Sequence, residues 1–211
     1  MKEHEIRPEA LLNRYLELSA EDAKNCFGNE ARLDIACVAC GGTQTKYQFD
    51  KNDFAYEQCV DCGTLFQSPR PAIANFELFY RQSKSSRYWA EVFFPAVAET
   101  RREKIFRPRV ERLKKLCEQK NIDVKRLFDV GAGFGIFLEE WRKSFPKTKL
   151  LAIEPSASLA QECRSKNLEV VEEIVENVVG HDNSADLVIC FEVLEHVYDP
   201  LDFLRALKRL V

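Results

Sequence analysis

An apolar run that breaks into three glycines and then resumes with helical spacing constrains this chain most. It reads RLFDVGAGFGIFLEEW and covers residues 126–141. The segment LFDV predicts a short buried strand, and apolar residues at 134, 137, 138 and 141 recur at the steps of a helix. Glycines between strand and helix let a ligand approach the backbone, next to the free N–H groups of the helix start. The pattern predicts a nucleotide-type ligand.

Glycine spacing separates two kinds of nucleotide site. A dinucleotide fingerprint requires Gly-x-Gly-x-x-Gly, but counting from Gly131 and Gly133 puts Ile136 at the third glycine position. The chain instead has Asp129 two residues before the first glycine, and Gly135 as its third glycine. A carboxylate at the strand tip suits an ammonium group and would repel a pyrophosphate.

This acid and glycine pattern resembles motif I of the class I S-adenosylmethionine-dependent methyltransferases. The resemblance implies that the loop binds S-adenosylmethionine, which has an ammonium group and no phosphate. The cofactor-binding residues expected in this loop are Asp129, Gly131, Ala132, Gly133 and Gly135.

The segment KLLAIEPSASLAQECRSK follows as a second strand and helix, with Ser156 as the expected helix cap. Glu154 ends this strand about 20 residues after the glycine loop, where an acid usually accepts hydrogen bonds from ribose hydroxyls. Glu154 and the adjoining Pro155 are therefore expected to contact the cofactor.

The segment ADLVICFEVLEHVYDP contains a third apolar run, typical of a strand buried on both faces. Its phrase EVLEHV is similar to the sequence after the fourth strand of many small-molecule methyltransferases of this class. The resemblance places Phe191 and Glu192 beside the methionine part of the cofactor. His196 is the candidate general base, because an imidazole titrates near neutral pH; a local structural role for His196 is the alternative.

The fold class predicted is α/β, with a Rossmann-like parallel sheet. Strands are expected at 126–130, 149–153, 169–171 and 186–191, in the order 3-2-1-4, followed by a helix over 200–210. The class I fold normally continues with three more strands, so we expect an incomplete sheet and a missing part of the acceptor pocket. The fourth strand would be an apolar edge, through which a homodimer could complete the sheet.

Four of the eight cysteines fall in two Cys-x2-Cys pairs, CVACGG and CVDCGT. Two such turns can supply the four sulfurs of a tetrahedral zinc ion, and a set without an open position indicates a structural metal. The alternatives are a redox pair or buried thiols. The other four cysteines do not fall in Cys-x2-Cys pairs and are expected to be small buried hydrophobic residues. They are Cys26, Cys117, Cys163 and Cys190. The predicted zinc ligands are Cys37, Cys40, Cys59 and Cys62.

A zinc ribbon that ends in a phrase like CGTLFQSPRP and precedes motif I resembles a bacterial group of methyltransferases. Members of that group are associated with the modification of sugars, polysaccharides or other secondary metabolites. The resemblance implies a small-molecule acceptor. A non-catalytic assembly module is the main alternative, and a zinc-ribbon RNA methyltransferase is a third.

Four segments are predicted: an N-terminal helical extension over 1–36, the ribbon over 37–70, a helical linker or lid over 71–124, and the cofactor domain over 125–211. The linker is rich in aromatic residues, of which Tyr80, Tyr88 and Trp89 are candidate acceptor contacts. The alternative is that these aromatic residues only pack the small domains together. The basic run 101–115 is interpreted as the solvated face of a helix.

The 211 residues carry a net charge of −3, which argues against a general nucleic-acid binder. The N-terminus MKEHEIRPEA has no apolar region of the kind a secretory signal needs, and no apolar stretch is long enough to cross a bilayer. These features predict a cytoplasmic protein without disulfides.

Overall fold

The computed structural model of the chain describes residues 2–28 and 30–211, and all of their side chains except those of Glu77, Tyr80 and Arg81. The chain forms two compact units, one ending at Ala98 and the other covering Glu99–Val211. The helical segment predicted over 71–124 is therefore shared between the two units. Within the described residues, no helix is long and apolar enough to span a membrane.

The first unit consists of one long helix, several short helices and two small antiparallel sheets. One sheet has the strand order β2-β3-β4, and the other pairs β1 with β5. A π-helical turn over Trp89–Phe93 precedes the helix α5. The elements are α1 (Glu3–Ile6), α2 (Glu9–Phe27), β1 (Arg32–Leu33), β2 (Thr45–Lys51), β3 (Phe54–Cys59), β4 (Leu65–Gln67), β5 (Arg70–Pro71), α3 (Ile73–Gln82) and α4 (Lys84–Tyr88). The helix α5 (Phe94–Arg101) begins in this unit and ends in the second.

Aromatic contacts hold the helices of the first unit together. Trp89 stacks on Phe93 with ring centroids 4.6 Å apart and lies 5.5 Å from the ring of Tyr15 on α2. Such pairs stabilise a fold beyond the apolar area that they bury. Trp89 therefore has a packing role in this unit. Tyr88 is half-buried at the end of α4, and the side chain of Tyr80 lies outside the described part of the chain.

The second unit is a four-stranded parallel sheet with helices on both faces. A π-helical turn over Arg102–Phe106 leads into it, and 3₁₀ turns cover Val175–Asn177 and Leu194–His196. The remaining elements are α6 (Arg107–Lys120), β6 (Arg126–Val130), α7 (Ile136–Ser144), β7 (Lys149–Ile153), α8 (Ala157–Ser165), β8 (Glu169–Val171), β9 (Leu187–Ile189) and α9 (Pro200–Leu210).

The sheet has the order β8-β7-β6-β9, so the first strand of this unit lies between its second and fourth strands. All three pairings are parallel. The fourth strand is shorter than the predicted 186–191. Its pairing with β6 ends at Asp129 and Ile189, because β6 turns into the glycine loop one residue later and offers no further backbone partners.

Each face of the sheet has its own apolar core, which explains why the strands read as nearly continuous apolar runs. Leu127 points to the face covered by α7, where Trp141 and Leu138 are fully buried. Phe128 points to the opposite face, which is covered by α9 through Phe203 and Leu210. The two cores fix β6 between them, and so fix the start of the glycine loop.

Candidate cofactor and metal sites

The glycine loop joins β6 to α7 and depends on backbone angles that other residues avoid. Gly131, Gly133 and Gly135 have φ angles of 73°, 57° and 67°, all in the left-handed region. A Cβ on Gly131 would lie 2.5 Å from Cγ2 of Val193, whereas a Cβ on Gly133 would meet no atom within 4 Å. The loop is thus closely packed at Gly131 and opens into free space at Gly133.

Glu154 fixes this loop from the end of β7. Its Oε2 accepts a hydrogen bond of 2.8 Å from the backbone N–H of Gly133, and its Oε1 accepts one of 3.0 Å from that of Ser156. Each carboxylate oxygen has a second lone pair, so Glu154 can still accept hydrogen bonds from ribose hydroxyls. Ser156 begins α8 as expected, but its side chain makes no capping hydrogen bond. Pro155 is exposed.

Asp129 lies below the loop on β6 with 4% of its surface exposed. Burial removes water from the carboxylate, and the nearby Glu154 adds negative charge, so the pKa of Asp129 rises to about 7. Burial also raises the pKa of Glu154, against the two backbone hydrogen bonds that lower it. Two buried acids therefore adjoin the glycine loop, and both would gain from a cationic ligand.

The raised pKa of Asp129 predicts a stability that falls as the pH increases. The folded protein holds the Asp129 proton up to about pH 7, but the unfolded chain loses it near pH 4. Folding therefore takes up a proton between these values, and the free energy of unfolding decreases by at most about 1.4 kcal/mol per pH unit across this window. Denaturant titrations of the wild type and Asp129→Asn at several pH values would measure this. Equal pH dependence in the two proteins would contradict the prediction.

Glu192 is held by two arginines from the helical segment before the glycine loop. Its side chain pairs with Arg101 at 3.8 Å and hydrogen-bonds to Arg109. The guanidinium of Arg109 also lies 4.9 Å from the ring centre of Phe191. Glu192 has a φ of 60°, unusual for a residue with a side chain. The loop after β9 thus brings an acid and two cations together.

The interpretation of 101–115 as a solvated face was wrong for its first part. Only 7% of the Arg101 side chain and 16% of the Arg102 side chain are exposed. Arg102 binds Glu140 at 2.8 Å and Glu139 at 2.9 Å, both on α7. Burial alone would raise the pKa of Glu140, but hydrogen bonds from Lys143, Arg102 and Arg107 lower it to about 2. Glu139 and Glu140 lie more than 30 residues from Arg102 in sequence, so the local pattern could not reveal these contacts.

His196 lies in the 3₁₀ turn after β9 and is exposed. Its backbone N–H donates to the carbonyl of Val193 at 2.8 Å. Val193 is the residue that packs against Gly131, so this turn connects the candidate base to the glycine loop. Ala132 is half-buried within that loop. The general-base role of His196 stays a prediction.

The four predicted zinc ligands converge in the first unit. The sulfurs of Cys37, Cys40, Cys59 and Cys62 all lie within 4.8 Å of one another. The Cys37–Cys62 and Cys40–Cys59 pairs are 3.6 Å apart. Tetrahedral zinc at about 2.3 Å from each sulfur would separate the sulfurs by about 3.8 Å. The spacing of the sulfurs is therefore compatible with a tetrahedral zinc ion.

The pKa values of two of these thiols shift in opposite directions. Hydrogen bonds with Thr64 lower the pKa of Cys62 to about 6. For Cys40, a backbone hydrogen bond from Gly42 favours the thiolate, but hydrogen bonds with Cys62 and Cys59 raise its pKa to about 12. Four adjacent thiolates repel one another unless a cation lies between them.

The remaining cysteines lie outside this cluster. Cys117 and Cys163 are buried, while Cys26 and Cys190 are half-buried. The burial of Cys117 and Cys163 agrees with their expected role as small buried hydrophobic residues, and the partial burial of Cys26 and Cys190 agrees with it in part.

The match to a known family lies within the second unit. Residues 128–211 match the family model described as a methyltransferase domain. Relatives named ubiquinone biosynthesis O-methyltransferase, from Yersinia pestis (strain Pestoides F) and Yersinia pseudotuberculosis serotype O:1b (strain IP 31758), are 40% identical to this chain over 92 residues. The match covers 41% of this chain and 38% of each relative. The chain therefore matches well under half the length of these relatives.

Two solved structures of the plantazolicin methyltransferase BpumL share the fold. The complex with a monoazolic desmethylPZN analog and SAH has a TM-score of 0.52 at 16% identity, covering 63% of this chain and 51% of BpumL. The complex with SAH alone has a TM-score of 0.51 at 16% identity, covering 61% and 50%. The order of the sheet, the glycine loop and the family match all indicate a methyltransferase fold. Residues 128–211 are therefore similar to a methyltransferase domain in sequence, and the chain shares the fold of a methyltransferase.

Proposed function

We propose that this chain transfers a methyl group from S-adenosylmethionine to a small-molecule acceptor. One observation carries the proposal: the carboxylates of Asp129 and Glu154 adjoin a glycine loop that opens into free space at Gly133. Bound S-adenosylmethionine supplies an electrophilic methyl group on its sulfonium. The protein has to bind and orient donor and acceptor and to exclude water.

The charged groups after β9 support binding of the methionine part, which carries one ammonium and one carboxylate. The resemblance places Glu192 beside this part of the cofactor, where its carboxylate can accept hydrogen bonds from the ammonium. Arg101 and Arg109, which contact Glu192 in this structure, can bind the carboxylate as charge-assisted donors. Sequence reasoning missed both arginines. Pairing with Glu192 holds them in place before the ligand arrives.

The acceptor is proposed from two partial sources. The ribbon resemblance suggests a sugar or polysaccharide precursor, whereas the matched relatives are named O-methyltransferases of ubiquinone biosynthesis. The name of the relatives specifies O-methylation, and sugars also carry hydroxyl groups, so a hydroxyl acceptor is the one proposed. A hydroxyl must lose its proton during transfer. His196 is the proposed base because it follows the strand end that carries Glu192.

We also propose that the four-cysteine cluster binds one zinc ion. The sulfur spacing and the fit to tetrahedral geometry support it. Four sulfur ligands leave no open position for a substrate, so the metal would stabilise the ribbon and take no part in methyl transfer.

Calorimetric titration with S-adenosylmethionine and with NAD tests the cofactor assignment. The wild type should bind S-adenosylmethionine and not NAD, because the two buried acids repel a pyrophosphate. Losing one charge-assisted hydrogen bond should weaken binding about tenfold to a hundredfold in Arg109→Gln. Arg112→Gln, an exposed position on the same helix, is the matched control and should bind normally.

The outcomes of this titration separate the candidate functions. Binding of NAD would overturn the proposal, and binding of neither ligand would favour a non-catalytic module. Where S-adenosylmethionine binds, incubation with nucleotide sugars and with phenols would identify the acceptor by mass spectrometry. His196→Gln should then lower kcat for a hydroxyl acceptor while the affinity for S-adenosylmethionine stays unchanged. An unchanged kcat would remove His196 as the base.

A further inference from the structure

The glycine loop is held from behind by the end of α8. Two consecutive loop carbonyls accept hydrogen bonds there: that of Gly133 from the Cys163 thiol at 3.2 Å, and that of Phe134 from the Lys166 ammonium at 2.5 Å. Both donors belong to the second unit and lie about one helical turn apart. No local sequence pattern indicates these bonds, because Lys166 resembles an ordinary lysine at the end of a helix.

The position of Lys166 is unusual for a lysine. Only 21% of its side chain is exposed, and its Nζ lies 3.5 Å from Glu139 Oε2. The same Glu139 oxygen accepts a hydrogen bond of 2.9 Å from Arg102. The backbone of the segment is held as well, because Arg142 donates to the carbonyls of Lys166 and Asn167. An anion and a loop carbonyl therefore keep the ammonium in one place.

These contacts set the orientation of two peptide planes. In a trans peptide the carbonyl and the following N–H point in opposite directions. Holding the Gly133 and Phe134 carbonyls on the α8 side therefore turns the next N–H groups away from α8. The N–H of Gly135 also donates to the carbonyl of Ala132 at 2.9 Å, so the Phe134–Gly135 peptide is held at both ends. A glycine-rich loop without such contacts can rotate its peptides at little cost. The donors behind the loop therefore contribute to the orientation of its peptides.

We propose that Lys166 is a positioning residue for the cofactor loop, with Cys163 as a weaker second donor. This inference rests on the proposed binding of S-adenosylmethionine at the same loop. A charged ammonium donates a much stronger hydrogen bond than a thiol, so Lys166 contributes most of the effect. Lys166 acts through the backbone of Phe134 and does not have to touch the ligand.

Three variants test this role. Lys166→Met keeps most of the aliphatic chain and removes the charge and the donor, whereas Lys166→Arg restores both. Lys143→Met is the matched control, because Lys143 belongs to the same ion-pair network through Glu140 and has 59% of its side chain exposed. The first measurement is hydrogen exchange of the peptide segment 129–136 in the ligand-free protein. The second is the dissociation constant for S-adenosylmethionine.

Lys166→Met should speed exchange in 129–136 relative to the strands and weaken S-adenosylmethionine binding about tenfold. Lys166→Arg should restore both values, and Lys143→Met should change neither. Unchanged loop exchange in Lys166→Met, or equal effects in Lys143→Met, would overturn the inference while leaving the cofactor assignment intact. If the wild type fails to bind S-adenosylmethionine, the proposed function fails, and the exchange measurement still decides the role of Lys166.

Discussion

Removing the metal from the four-cysteine cluster is expected to unfold the strands β2, β3 and β4. The apolar core around the cysteines is small: its buried residues are Cys37, Cys59 and Phe66, with Ile35 and Val38 against them, whereas Phe54 of β3 packs against Phe27 of α2. A core of this size cannot offset the conformational entropy of ordering the ribbon. Structural zinc contributes about 10–16 kcal/mol in small zinc domains. Almost all of the ribbon's stability should therefore depend on the ion.

Metal analysis and hydrogen exchange would check this result. The purified chain should contain one zinc ion, and chelation should abolish protection in 45–67 while protection of the parallel sheet persists. Cys59→Ser should reproduce the chelated state, and Cys26→Ser, outside the cluster, should resemble the wild type. A ribbon that stays protected without metal would show that the cysteines need no ion.

The second large effect is expected at Gly131. In Gly131→Ala the new Cβ would lie 2.5 Å from Cγ2 of Val193, at a backbone φ of 73°. The left-handed angle costs about 1–2 kcal/mol for a residue with a Cβ, and the overlap must also displace a stiff β-branched side chain. We expect a loss of about 2–4 kcal/mol in the free energy of unfolding, together with the loss of S-adenosylmethionine binding.

Gly133→Ala provides the comparison. Its φ of 57° imposes a similar backbone cost, but its Cβ would meet no protein atom within 4 Å. Denaturant unfolding should therefore show a loss of only about 1–2 kcal/mol. If the ligand occupies this free space, Gly133→Ala should still lose cofactor affinity despite its smaller loss of stability. Equal destabilisation by the two variants would show that the side chain of Val193 can move away from the new Cβ at little energetic cost.

The sequence predicted the parts of the fold that depend on local pattern. The strands at 126–130, 149–153 and 169–171 and the helix at 200–210 are found with those bounds. Continuous apolar runs predict the buried strands, and apolar residues that recur at helical spacing predict α9. The length of the fourth strand was overestimated. The apolar run continues through Cys190 and Phe191, but β6 offers no backbone partner for these residues. Pairing decided the end of this strand.

Long-range contacts account for what the sequence could not show. Arg101 and Arg102 look like surface residues until Glu192 and Glu140 are brought to them by the fold. Lys166 becomes a loop contact only because α8 packs behind the glycine turn. The cysteine cluster is the opposite case, because its two Cys-x2-Cys turns already bring sulfurs together in pairs. Spacing alone was therefore enough to nominate Cys37, Cys40, Cys59 and Cys62.

The buried carboxyl of Asp129 affects how the heat of cofactor binding must be measured. A group with a pKa of about 7 is partly protonated in a neutral buffer, and an incoming ammonium ion favours its ionised form. Binding would then release a fraction of a proton, which the buffer takes up with its own enthalpy. Titrations in two buffers of different ionisation enthalpy would give different apparent heats, and their difference would count the protons released.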